Sequence, residues 1–114
     1  MSQTTNPFQP MGSAVNTNHK QATTTSGVCA ISPAPATSDA IGRNVRVSAT
    51  AAVWIALGTS ALTVTIAAAG TPGNGHYLGA GQSIILPIGP TDTHLGMITG
   101  TGTSEVYVTR GDGG

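Results

Sequence analysis

Arg43–Thr50 reads RNVRVSAT, and Ala52–Gly58 reads AVWIALG. In the first stretch Val45 and Val47 alternate with Arg46 and Ser48, the two-residue period of a strand with one buried face and one wet face. In the second, Val53, Ile55 and Leu57 fall on one side and Trp54 and Ala56 on the other. Further along, LTVTIA (Leu62–Ala67) alternates Leu62, Val64 and Ile66 with threonines, and the β-branched content suits a strand. SIILPIG (Ser83–Gly89), HLGMITG (His94–Gly100) and EVYVTRG (Glu105–Gly111) continue the series; Val106 and Val108 stand opposite Glu105, Tyr107 and Thr109.

Turn residues separate these runs: Gly58-Thr59-Ser60, Gly70–Gly75, Gly79-Ala80-Gly81, Gly89-Pro90 and Gly100-Thr101-Gly102. Six or so short strands at regular spacing point to an all-β fold, a small antiparallel β-sandwich or jelly-roll-like module over residues 41–114. No stretch combines a helical period with caps.

Residues 1–40 read differently. They are rich in Thr, Ser, Asn, Gln, Ala and Pro, and Pro7, Pro10, Pro33 and Pro35 interrupt regular hydrogen bonding. A segment with so few large apolar groups does not offset its own ordering entropy, about 1–2 kcal/mol per residue. The expectation is an extended, irregular N-terminal arm with Phe8, Met11, Val15 and Val28 as possible anchors.

Charge is the compositional anomaly. The chain has four basic and four acidic residues in 114, which is 7% charged and zero net. Soluble domains carry about 25%. Four scattered basic residues cannot neutralise a run of phosphates, so no nucleic-acid partner is expected. No apolar run is long enough to form a bilayer-crossing helix. MSQTTNPFQP lacks the basic start and apolar run of a signal peptide, so synthesis in the cytoplasm is expected. The single Cys29 cannot form an internal disulfide. A β module of this size without a disulfide or evident metal is short of stabilising devices, and association with other chains is the remaining one.

Candidate chemistry is sparse, and no catalytic residue, cofactor or metal is expected. His19, His76 and His94 lie in no metal-binding spacing. Asp92 and His94 share a strand face at most, and a turn aspartate explains the pair equally well. Cys29 has no local base and reads as a small apolar filler. No GxSxG elbow, P-loop or dinucleotide fingerprint occurs. Arg110-Gly111-Asp112 forms an RGD triplet, expected in a turn after the last strand.

The order of short motifs resembles a group of small tailed-bacteriophage virion proteins. The elements carrying the likeness are NPFQPMGS (Asn6–Ser13), VRVSATAAVWIALGTS (Val45–Ser60), LGAGQSIILPIG (Leu78–Gly89) and THLGMITGTGTSEVYVTRGDGG (Thr93–Gly114). The likeness is weakest over residues 16–42, and the GTPGNGH loop (Gly70–His76) departs from it. The resemblance implies a capsid cement or decoration protein of podovirus-like phages, located in the virion and bound to the major capsid protein as a homo-oligomer, dimer or trimer. On that reading Pro7, Phe8, Pro10, Met11 and Val15 are arm contacts, and Trp54 and Tyr107 are candidate interface aromatics. The other reading of both is a second core face of the sandwich, which is favoured for Trp54. The rival functions are a head–tail junction or tail-accessory protein and a receptor- or glycan-binding knob using Asn74–His76 and Arg110–Asp112.

Overall fold

A computed structural model describes residues 7–12, 15–36 and 42–113. Among these the regular structure is all strand: β1 (Gln9–Pro10), β2 (Thr17–Ala22), β3 (Gly27–Ala30), β4 (Asn44–Ala49), β5 (Val53–Gly58), β6 (His76–Leu78), β7 (Ser83–Pro87), β8 (His94–Ile98) and β9 (Ser104–Asp112).

The antiparallel pairs β2·β9, β3·β8, β4·β7 and β5·β6 are the rungs of one long hairpin whose arms are β2–β5 and β6–β9. Folding that hairpin over brings β9 beside β4 and β8 beside β5. Two antiparallel sheets result, of order β2-β9-β4-β7 and β3-β8-β5-β6, and the short β1 lies beside β2 on the same edge of β9. The chain is a small β-sandwich.

Between the sheets the alternating residues meet. Val45 and Val47, Val53 and Ile55, Leu95 and Met97, and Val106 and Val108 are all buried in one cluster, with Leu57, Ile84 and Leu86 packed against it. The strand faces expected for Val45–Ala49, Val53–Gly58 and Glu105–Thr109 are those observed.

Two expectations about which segments form strands need correction. The first is the irregular arm: Thr17–Ala22 and Gly27–Ala30 are sandwich strands, and Ala22, Cys29 and Ile31 belong to the core. Their pattern is hidden because the inward positions of β2 lie at the side of the sandwich. There Asn18 donates from Nδ2 to the Ala30 carbonyl (2.5 Å) and to Ser32 Oγ (2.8 Å) instead of packing apolar surface. The boundary placed near residue 40 falls in 37–41, outside the described residues.

The second is Leu62–Ala67, which is no strand, and only Ala68 and Thr71 form an isolated bridge nearby. Its alternation is real, since Val64 is buried and Thr63 and Thr65 are exposed. Its backbone, however, bonds to side chains. Val64 N–H donates to Ser26 Oγ (2.7 Å), Thr65 N–H to Asn74 Oδ1 (2.8 Å), and Asn74 Nδ2 to the Thr63 carbonyl (2.9 Å).

Residues 59–75 thus form a strap over the outside of the β3–β8–β5 sheet. Val64 and Leu62 press onto Gly96, where an added Cβ would stand 2.5 Å from Val64 Cγ2 and 2.6 Å from Leu62 Cδ2. Gly96→Ala is expected to cost about 1–3 kcal/mol by overpacking. Gly96→Ala/Val64→Ala should cost less than the two single changes summed, because one removes what the other strikes. Thermal unfolding of the four proteins checks this; strict additivity would show that the strap does not rest on Gly96.

Candidate functional site

The surface offers two aromatic clusters, and they lie on opposite faces. On the outside of the β2–β9–β4–β7 sheet, His19 and Tyr107 stack at 4.5 Å with 21° between planes. Cross-strand register puts them side by side. His19 Nε2 lies 2.5 Å from Glu105 Oε1, and Gln21 Nε2 donates to Glu105 Oε2 (2.9 Å). The Gln21 bond, then the His19 bond, holds the Glu105 carboxyl below its ordinary range. Thr17 and Thr109 hydroxyls bond at 2.8 Å, extending this polar face.

On the other sheet, Trp54 and Tyr77 are register partners with rings 5.1 Å apart and tilted by 60°. Ala51, Ala52, Gly100 and Thr101 line a shallow cavity beside the indole. Trp54 is half-buried, whereas Tyr77 is 55% exposed. Both Trp54 and Tyr107 therefore stand opposite the core residues of their strands, as expected. They cannot share one contact patch, because one belongs to each sheet. Tyr77 escaped the sequence reading because its strand is three residues long and shows no period.

The arm residues are divided. Gln9 and Pro10 pair with Asp112 and Gly111, and Met11 N–H donates to the Arg110 carbonyl (3.0 Å). Phe8 and Met11 are half-buried against their own chain. A Cβ on Gly111 would collide with the Gln9 carbonyl, and one on Gly42 (φ 73°) would meet Met11 Sδ at 2.5 Å. Pro7 and Pro10 face solvent, and Val15 is 62% exposed. Met11 N–H donates to the Arg110 carbonyl and Arg110 N–H donates to the Asn16 carbonyl, so β1 and β2 follow one another along the same edge of β9.

The RGD triplet is not in a turn. It lies inside β9, where Arg110 is 2% exposed and donates from Nε to the Gly42 carbonyl and from Nη1 to the Pro33 carbonyl, both at 2.6 Å. Asp112 Oδ1 accepts from Gly42 N–H (2.7 Å) and Arg43 N–H (3.3 Å). Nothing in the tripeptide marked it as a fold element, because its partners lie some seventy residues away. Asp92 is a turn acceptor for Gly89 N–H (2.8 Å), and Thr93 Oγ1 lies 2.9 Å from His94 Nδ1.

Among the described residues, no three His, Cys, Asp or Glu side chains come together as a metal site. Cys29 is buried in the core, and burial pushes its thiol up, with the Lys20 charge opposing more weakly. Alkylation at neutral pH is therefore expected to be at least about tenfold slower in the folded chain than in denaturant. Equal rates would place Cys29 at the surface. Compared with family models, curated proteins and solved structures, the chain matches none.

Proposed function

We propose that this chain is a structural protein of a tailed-phage virion, a cement or decoration subunit that binds the outer capsid shell and adds inter-subunit contact. It performs no catalysis. The observation that carries the reading is the strand order β2-β9-β4-β7 over β3-β8-β5-β6. We read this rolled-up hairpin as jelly-roll-like, an arrangement found among viral capsid domains. The near-uncharged composition supports it, because surface that carries few ions is inexpensive to desolvate against a neighbour.

The mechanism is additive. Each subunit removes apolar area from water at about 25 cal/mol per Å², and shell symmetry repeats that gain many times. The exposed Pro7, Pro10 and Val15, beside the seated Phe8 and Met11, form the contact edge toward the major capsid protein.

The test is co-sedimentation of the purified protein with shells of the phage that encodes it. The full chain should saturate the shells at a fixed stoichiometry. Removing residues 1–15 takes away β1 and its flanks but leaves β2–β9. This truncated form should keep its strand circular dichroism and lose shell binding. Failure of the full chain to bind would overturn the reading, and normal binding by the truncated form would remove the arm from it.

A further inference from the structure

The four sheet edges are not equally protected. At the β3 edge, Asn18 caps the Ala30 carbonyl; β2 carries Lys20; and β6 is only three residues long. Edges are ordinarily blunted in these ways, by cover, charge or brevity. β7 reads SIILP, five residues without a charge, and among the described residues no strand stands on its outer side.

Its outward groups can be assigned. Ile88 N–H donates to the Arg43 carbonyl (2.8 Å) and Ala49 N–H to the Gln82 carbonyl (3.2 Å), and both pairs continue the β4–β7 register. Residues 82, 84, 86 and 88 therefore turn their backbone toward β4. Ser83, Ile85 and Pro87 turn theirs to the open side. Pro87 has no N–H to present there. Ile84 and Leu86 point at the core yet remain half-buried, and among the described residues no strand covers them from this side.

We propose that β7 is the contact edge of a two-fold dimer, with β7 of a second copy antiparallel beside it and centred on Ile85. In this register Ile85 exchanges both backbone bonds with its mate, and Ser83 N–H meets the carbonyl of the mate's Pro87. Across the outer face Ile85 meets Ile85; across the inner face Ile84 meets Leu86. Ile84, Ile85 and Leu86 thus all face apolar partners, the arrangement that stabilises paired strands. A register slipped by two residues toward Gln82 would set Leu86 against Gln82 and Ile85 against Ser83. The hydrogen-bond pattern requires an extended strand as occupant, and the uncharged, self-matching sequence selects a second copy. The contact is isologous and closes at two.

Sedimentation equilibrium of the full chain tests this. The expected mass is twice the 11.3 kDa of one chain, falling to the single-chain value in Ile85→Lys, which opposes two charges across the axis. Ile85→Cys should form an inter-chain disulfide on mild oxidation, since paired Cα atoms about 5.5 Å apart lie in bonding range. Tyr107→Cys, on the outer face of the same sheet, should not. Should Ile85→Lys fail to fold, the cysteine result decides alone. A monomer at every concentration, a trimer, or a dimer that neither Ile85 variant affects would overturn the proposal. A dimer that ignores phage shells would leave this edge intact and remove only the virion reading.

Discussion

Ile55→Ala is expected to remove about 2–5 kcal/mol of stability, among the largest single losses in the sandwich. Ile55 is fully buried in β5, its backbone registered against His76 on one side and Met97 on the other. Truncation leaves a void between the sheets that rigid strands cannot close. Small domains hold about 5–15 kcal/mol in total, so this change consumes a large part of it. Urea unfolding should show a lower midpoint with an unchanged slope. Ile55→Val should cost only about 0.5–1.5 kcal/mol. A loss below about 1 kcal/mol in the alanine variant would mean that Ile55 does not face the core.

The second large effect concerns Arg110. Its guanidinium ties β9 to two remote carbonyls, those of Gly42 and Pro33. Hydrogen bonds to a charged group are worth about 1.5–3 kcal/mol each, and removing the donor leaves the acceptors unsatisfied. Arg110→Ala is expected to destabilise the fold by about 2–5 kcal/mol, within the range for breaking a buried polar network. Arg110→Lys should recover little, because one ammonium cannot reproduce the planar fork. The same unfolding titrations check it. If both variants matched the wild type, the triplet would be a surface feature and the receptor-binding reading of Arg110–Asp112 would regain force.

Tyr107 and Trp54 illustrate how far sequence reaches into the candidate site. Alternation put both opposite the core, and both are there. That they face away from each other depends on which sheet each strand joins, and no local pattern encodes this. Phe8 and Met11 were readable as anchors, but their seat is their own β9, shaped by Gly42 and Gly111. Tyr77 and His19 were not readable, because short or edge strands carry no hydrophobic period.

By itself the sequence determined the strand character of Asn44–Gly58 and Ser104–Thr109, the inward set of valines and isoleucines, and the turns between. These follow from a period of two, which neighbouring residues impose on each other along a pleated chain. Tertiary structure alone decided that Thr17–Ala30 completes both sheets, that Leu62–Ala67 is a strap, and that Arg110 is buried. In each case the backbone or guanidinium is satisfied by a partner distant in sequence, and pairing of that kind is set by the folded-over hairpin as a whole.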